Sequence, residues 1–234
     1  VASEFAYQIW ESRTISCQTF LRSYPLENTL TRQQIEDLIQ DYTLDDNYQT
    51  ADEAKVMSGL RALRNLLMMR WIWQDALNAI SLEQLTDELS EFADGCILFA
   101  KEYTYKQLIT KYGKPTFIDD KGKLRVDDMA IMAMGKLGAH ELNLSSDIDL
   151  VFVHQARGMT DGDKDKGTRS IDNKRFMTRL GQGIIKLLDN NTAEGFVFRV
   201  DMRLRPWGDG SDLAIHLSAL EKYCQKIKIK WNFE

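Results

Sequence analysis

Residues 135–150 read GKLGAHELNLSSDIDL and contain two acids separated by one residue, Asp147 and Asp149. In an extended strand, side chains two residues apart point to the same face, so these carboxylates are expected side by side. Ile148 and Leu150 are then expected in an apolar layer on the opposite face. Neighbouring carboxylates repel each other unless a proton or a cation lies between them. Mg²⁺ accepts one or two carboxylates and completes its shell with water and phosphate oxygens, so the pattern is compatible with a metal site, but such a pair of acids is common and does not indicate a metal site alone.

A third acid lies further along the chain, in residues 196–208, which read FVFRVDMRLRPWG. Apolar and charged residues alternate over 196–204, which predicts a half-buried strand with one apolar and one charged face. A solvated outer face would also explain the charges, but it does not explain why arginines surround the single acid Asp201. If this strand lies beside that of the paired acids, Asp201 is expected to join them as a third metal ligand. Arg203 and Arg205 are then expected to neutralise phosphate charge through their forked donors.

The turn before the paired acids offers candidate phosphate-binding groups. Gly135 and Gly138 allow the backbone to approach a ligand closely, and a helix predicted over residues 139–143 would direct its first amides toward an anion. Ser145 and Ser146 can donate hydroxyl and amide hydrogen bonds to a phosphate. A Gly-x-x-Gly pattern is weak alone, and a tight turn followed by serines that start a strand is the alternative.

The N-terminal half of the sequence predicts helices, because apolar residues recur there at helical spacing. Capping boxes at residues 31–34 (TRQQ) and 81–84 (SLEQ) predict two helix starts, and Gly113 followed by Pro115 predicts the end of the last helix. The predicted helices cover residues 4–23, a segment starting at 32, 51–80 and 82–112.

The second half of the sequence predicts strands as well as helices. The predicted strands cover residues 129–134, 147–154 and 196–204, and the predicted helices cover 172–188 and 218–225. The predicted fold class is therefore α+β, with a mostly helical region over residues 1–112 followed by a β-sheet region over residues 113–234.

The chain has 234 residues, of which 44% are hydrophobic, and a formal net charge of -5. This apolar fraction suffices for a folded core, and an acidic chain has no global positive field for nucleic acid or an anionic membrane. The sequence shows no apolar run of transmembrane length and no signal-peptide pattern. Cys17, Cys96 and Cys224 are isolated, which predicts reduced thiols. These features predict a cytoplasmic protein without a nucleic-acid or membrane partner.

The two long motifs together resemble those of the nucleotidyltransferase superfamily, whose fold is also called DNA polymerase beta-like. GKLG at 135–138 with ELNLSSDIDL at 141–150 carries the resemblance, and FVFRVDMRLRPWG at 196–208 narrows it to the family of bifunctional glutamine synthetase adenylyltransferase/adenylyl-removing enzymes. The resemblance implies a nucleotidyltransferase-type mixed sheet flanked by helices. That family repeats its catalytic unit twice, so the chain is expected to be a piece of a longer enzyme, and its motifs are closer to the N-terminal, adenylyl-removing copy.

The family resemblance also implies an activity and a set of site residues. The implied reaction is Mg²⁺-dependent removal of AMP from a tyrosine of glutamine synthetase by phosphorolysis, which releases ADP in the control of nitrogen assimilation. Asp147, Asp149 and Asp201 would be the catalytic residues and Mg²⁺ ligands, with Mn²⁺ as a substitute ion. The implied nucleotide- and phosphate-binding residues are Gly135, Lys136, Gly138, Ser145, Ser146, Arg203 and Arg205. The implied partners are glutamine synthetase, a PII signalling protein, ATP or ADP, and phosphate.

Two other functions are compatible with the same residues. The first is ATP-dependent adenylylation of glutamine synthetase by the same fold. The second is a non-catalytic regulatory module that binds a nucleotide or responds to a PII protein.

Overall fold

The computed structural model describes residues 3–44, 52–163, 165 and 167–231, and it confirms the α+β class. The helices are α1 (Glu4–Ser12), α2 (Thr14–Ser23), α3 (Arg32–Thr43), α4 (Glu53–Ala76), α5 (Leu82–Tyr112), α6 (Gly135–Gly138), α7 (Asn173–Asp189) and α8 (Leu217–Trp231). The strands are β1 (Pro115–Ile118), β2 (Leu124–Val126), β3 (Met129–Met134), β4 (Ile148–His154), β5 (Met159–Thr160), β6 (Val200–Asp201) and β7 (Ala214–His216). Among the described residues, none of the helices combines the length and apolar content needed to cross a membrane.

The chain forms two compact units, each assembled from several segments. The first unit comprises Val1–Phe99, Gly135–Ile148 and Leu187–Arg199, and the second comprises Ala100–Met134, Asp149–Lys186 and Val200–Glu234. The division of the sequence into regions 1–112 and 113–234 stays a prediction.

Two helices begin at the capping boxes that the sequence predicted. At the start of α3, Gln34 N donates to Thr31 Oγ1 at 3.3 Å, and Thr31 N donates to Gln34 Oε1 at 2.9 Å. Ser81 and Gln84 form the same reciprocal pair before α5, at 3.2 and 2.9 Å. Each pair satisfies two amides that a helix N-terminus leaves without an intrahelical partner. Gly113, with a φ of 73°, ends α5 as predicted, because a left-handed backbone cannot continue the helix.

The single helix predicted over residues 4–23 is wrong, since the chain breaks between α1 and α2 at Arg13, whose φ and ψ are -139° and 36°. Hydroxyl groups on both sides of the break bond to carbonyls of the preceding turn. Ser12 Oγ donates to Gln8 O and Thr14 Oγ1 donates to Trp10 O, each at 2.7 Å. Such side-chain bonds compete with the backbone ladder and account for the interruption. The helix predicted over 51–80 is α4, and position 51 lies outside the described residues.

Aromatic rings form the centre of the first unit's core. Trp71 of α4 is fully buried and its ring centroid lies 5.7 Å from that of Phe92 in α5. The Phe92 centroid lies 5.6 Å from that of Phe198. These tilted pairs bury large apolar areas in the geometry that aromatic rings prefer. Trp71 is therefore a core residue.

The contact between α3 and α4 depends on a glycine. A Cβ atom built on Gly59 would lie 1.8 Å from the Tyr42 carbonyl oxygen. We expect Gly59→Ala to lower the free energy of unfolding by about 1–3 kcal/mol, because overpacking forces the two backbones apart. Urea denaturation measures this loss. Gly210→Ala is the matched control, since a Cβ there meets nothing within 4 Å, and an equal effect of both variants would contradict the prediction.

The second unit contains two small sheets. One has the strand order β2-β1-β5, and the other joins β3, β4 and β6, with β7 also pairing β4. β3 runs antiparallel to β4, with Met134 opposite Asp149, and β7 runs parallel to β4. The predicted strands at 129–134 and 147–154 are confirmed as β3 and β4, whereas β1, β2, β5 and β7 were not predicted.

Strand β4 is covered on both of its faces. A Cβ on Gly181 of α7 would touch the Phe152 ring at 2.8 Å, so α7 lies close against that face. Val151 and Val153 on the other face pack with Ile215 of β7 and Leu220 of α8. A central strand enclosed in this way fixes the position of the residues at its start. The helix predicted over 172–188 is α7, and the one predicted over 218–225 is the longer α8.

Candidate active site

The glycine-rich turn after β3 differs from the prediction. The chain passes directly into the single helical turn α6, where Gly135 has a φ of 57° that favours glycine. The helix expected over residues 139–143 is absent from the described structure, because His140 adopts a φ of 58° and ends the turn. Lys136, Gly138 and Gly135 itself are exposed, while Leu137 between them is buried and anchors the turn.

The serines before the paired acids lie in a turn organised by Asn143. Its Oδ1 atom accepts hydrogen bonds from Ser146 Oγ at 2.8 Å and from Ser145 N at 3.2 Å. Lys136 Nζ lies 3.4 Å from Ser146 Oγ, so the structure brings together two of the predicted phosphate-binding residues. An ammonium group beside two hydroxyl groups is a suitable arrangement for a phosphate oxygen.

The two acids of the DxD pattern have different surroundings. Asp147 is exposed, belongs to the first unit and lies one residue before β4. Asp149 is half-buried, belongs to the second unit and shares a face of β4 with Val151 and Val153. Ile148 and Leu150 are fully buried, as the alternation predicted.

The third acid lies on a strand much shorter than predicted. Only Val200–Asp201 of the expected strand over 196–204 forms β6. The amides of Val197 and Phe198 instead donate to the Leu188 carbonyl at the end of α7, at 2.8 and 3.1 Å. Val197 is buried rather than on a charged outer face, so the alternation predicted for this segment is wrong.

Asp201 nevertheless lies on the strand next to that of Asp149, since β6 and β4 are neighbours in one sheet. Its carboxylate accepts the Arg203 backbone amide at 2.8 Å and Arg203 Nε at 2.8 and 3.0 Å. The Arg203 guanidinium and amide lower the pKa of Asp201, so this acid is ionised at neutral pH. Arg205 Nη1 donates to the Met202 carbonyl at 2.7 Å, which closes the turn after β6.

The structure thus groups part of the predicted site. It places Asp149 and Asp201 on adjacent strands, and it pairs Lys136 with Ser146. In the part of the chain that the structure describes, no three side chains of His, Cys, Asp or Glu form a group that could hold a metal ion. The positive side chain next to Asp201 is Arg203, which was predicted to face phosphate. The roles predicted for Asp147, Arg203 and Arg205 stay predictions.

A cavity in the first unit was not foreseen from the sequence. It has a volume of about 650 Å³ and is bordered by Ser145, Ser146 and Asp147. The same cavity is lined by side chains from α1, α4 and the segment before β6, including Phe5, Arg64, Phe196 and Arg199. The sequence signal for it is a set of three arginines among the apolar residues of α4, of which Arg64 lines the cavity, since charged residues are rarely inside a protein unless they are paired. We call it the first-unit cavity.

Helices packed with a mixed sheet, and acids on neighbouring strands, define this chain as an α+β protein of the nucleotidyltransferase-like class. The family model described as glutamate-ammonia ligase adenylyltransferase matches residues 3–234, and the chain belongs to this family.

Relatives in three bacteria carry the name bifunctional glutamine synthetase adenylyltransferase/adenylyl-removing enzyme. The protein of Acinetobacter baylyi is 42% identical over 245 residues, which cover 94% of this chain and 26% of the relative. The protein of Thioalkalivibrio sulfidiphilus is 45% identical over 180 residues (77% of this chain, 18% of the relative), and that of Shewanella oneidensis is 43% identical over 182 residues (78% and 18%). The chain therefore spans about a quarter or less of the length of these relatives.

Proposed function

We propose that this chain removes AMP from an adenylylated tyrosine of glutamine synthetase by phosphorolysis. An oxygen of inorganic phosphate forms a bond to the AMP phosphorus, the bond from that phosphorus to the tyrosine oxygen breaks, and ADP and free tyrosine result. The phenolate that leaves takes up a proton. Because a phenol has a pKa of about 10, phenolate is a tolerable leaving group and the step does not require a strong general acid.

One observation carries this proposal: Asp149 and Asp201 lie on adjacent strands of one sheet, in a chain of the adenylyltransferase family. Both carboxylates are half-buried and offer hard oxygen donors, which suit Mg²⁺ and also Mn²⁺. These two residues would hold the ion, with Asp147 as the third ligand that the sequence motif predicts. When bound, the ion would neutralise charge on the phosphorus oxygens and on the leaving oxygen.

The chain's own positive and polar groups would hold the phosphate. Lys136 and Ser146, which lie together in the first unit, provide an ammonium and a hydroxyl group for a phosphate oxygen. Ser145 adds a second hydroxyl in the same turn. Arg203 lowers the pKa of Asp201, and a cation that binds this carboxylate would compete with the Arg203 guanidinium for its oxygens.

The proposed direction of transfer rests on two motifs of the sequence, and the proposed partners are supported by the family to which the chain belongs. The motifs at 143–149 and 199–203 favour adenylyl removal over adenylylation. The substrates of the proposed reaction are adenylylated glutamine synthetase and phosphate, and a PII signalling protein is the proposed regulator. With these substrates, the proposed location is the cytoplasm and the proposed role is in nitrogen metabolism.

The test compares the two directions on the same protein. The chain is incubated with adenylylated glutamine synthetase, phosphate and Mg²⁺, and the ADP released is measured by chromatography. In parallel it is incubated with ATP and unmodified glutamine synthetase, and AMP on the protein is measured by mass spectrometry. We expect ADP release in the first reaction, loss of it with EDTA, and recovery with Mg²⁺ or Mn²⁺. AMP attachment without ADP release would favour the adenylylating alternative, and no turnover in either direction would favour the regulatory module.

A further inference from the structure

Arg64 is a half-buried positive charge that has no carboxylate partner among the described residues. Burial lowers the pKa of its guanidinium to about 10, which still leaves the group protonated at neutral pH. Its guanidinium carbon lies 5.3 Å from the ring centroid of Phe5 and 5.4 Å from that of Phe196. Its one hydrogen bond in the described structure is from Nη1 to Asn65 Oδ1, at 3.3 Å, and no carboxylate among the described residues forms an ion pair with it.

The two fully buried arginines of α4, Arg61 and Arg70, donate to acceptors within the protein. Arg61 donates to the carbonyls of Gly195 and Met57 at 2.8 Å and to that of Leu187 at 3.2 Å. Arg70 donates to Glu88 at 3.0 Å. Arg64 makes a single hydrogen bond, so it differs from these two arginines in having donors available for a ligand.

Arg64 lines the first-unit cavity, and the other residues there suit a nucleotide. The guanidinium carbon of Arg199, which also lines it, lies 5.2 Å from the Phe196 ring centroid. Aromatic and aliphatic side chains form much of the remaining wall, and Ser146, a predicted phosphate-binding residue, borders it. A volume of about 650 Å³ is within the range of small-molecule sites.

We propose that the first-unit cavity binds the adenylyl group, with the purine against its apolar wall and the phosphate on the Arg64 guanidinium. The identity of the ligand rests on the proposed function, because the substrate and the product of that reaction both contain AMP. The forked donors of a guanidinium match phosphate oxygens, and the two phenylalanine rings hold the arginine in place. The helical part of the chain thereby contributes a phosphate-binding residue that the sequence motifs did not include.

The test measures binding to the intact chain by calorimetry in EDTA, so that neither a metal ion nor glutamine synthetase takes part. We expect Arg64→Gln to weaken AMP binding about 10- to 100-fold and to leave adenosine binding unchanged, because only the phosphate contact is lost. Phe196→Ala should weaken the binding of both AMP and adenosine. The AMP affinity of Arg64→Lys should lie between those of the wild type and Arg64→Gln. The control is Arg22→Gln, which changes an exposed arginine of α2 and should leave the affinity for AMP unchanged. Thermal unfolding of each variant shows whether it is folded.

Several outcomes would overturn the inference. The first is that the wild type does not bind AMP, and the second is that a folded Arg64→Gln variant binds AMP as tightly as the wild type. The third is displacement of AMP by equimolar inorganic phosphate, which would assign the cavity to phosphate alone. Failure of the proposed function gives a different pattern. ADP release would then be absent, while AMP binding would still depend on Arg64.

Discussion

Asp201→Asn is expected to lower the rate of ADP release about 10³-fold while the protein stays folded. The neutral amide is a poor ligand for a hard divalent ion, and metal stabilisation of transition-state charge supplies several kcal/mol. The variant also loses its charge interaction with Arg203, whose guanidinium lies beside the carboxylate. Initial rates of ADP release at saturating Mg²⁺ measure the effect, and calorimetry with Mn²⁺ measures the accompanying loss of ion affinity.

The chain contains a matched control for this substitution. Asp119, in the hairpin between β1 and β2, accepts Arg125 Nε at 2.9 Å and the backbone amides of Lys121 and Lys123 at 3.0 and 2.8 Å. Like Asp201, it accepts hydrogen bonds from an arginine and from the backbone. The largest cause of its lowered pKa is the hydrogen bond from the arginine, as it is for Asp201. Asp119→Asn should leave ADP release unchanged. Full turnover in Asp201→Asn, or an equal loss in both variants, would refute the metal assignment.

The features that the sequence predicted best depend on near neighbours along the chain. The capping boxes at Thr31 and Ser81 involve residues three positions apart, so their partners are present in the sequence itself. Strands β3 and β4 were predictable from apolar runs for the same reason. The sequence placed Asp201 beside the strand of Asp149 only on the assumption that the two strands carrying the motifs are neighbours. The strand order of the sheet supports that assumption.

The features that the sequence did not predict depend on distant contacts. Alternation over 196–204 suggested a long strand, but the amides of Val197 and Phe198 bond to the end of α7 instead of to a neighbouring strand. Such a tertiary contact overrides a local pattern. Arg64 was missed for the same reason, because its ring partners Phe5 and Phe196 are separated from it by long stretches of sequence.

The second large effect expected is on stability and concerns Glu88. This buried side chain accepts hydrogen bonds from Arg70 Nη1 at 3.0 Å, from Trp71 Nε1 at 2.8 Å and from the Leu30 amide at 2.9 Å. It thereby joins α4, α5 and the segment before α3. Glu88→Gln keeps the shape of the side chain but leaves the buried Arg70 charge without its counter-charge. We expect the free energy of unfolding to fall by about 3–5 kcal/mol, as measured by urea denaturation.

The control is another glutamate of the same helix. Glu102 pairs with Lys106 at 3.9 Å, and both side chains are largely exposed. Water screens such a pair, so Glu102→Gln should change the free energy of unfolding by less than about 1 kcal/mol. Since the total stability of a domain is about 5–15 kcal/mol, the loss at Glu88 is a large fraction of it and should be visible as a lower urea midpoint. If the two variants lowered the midpoint equally, Glu88 would not be the residue that holds these three segments together.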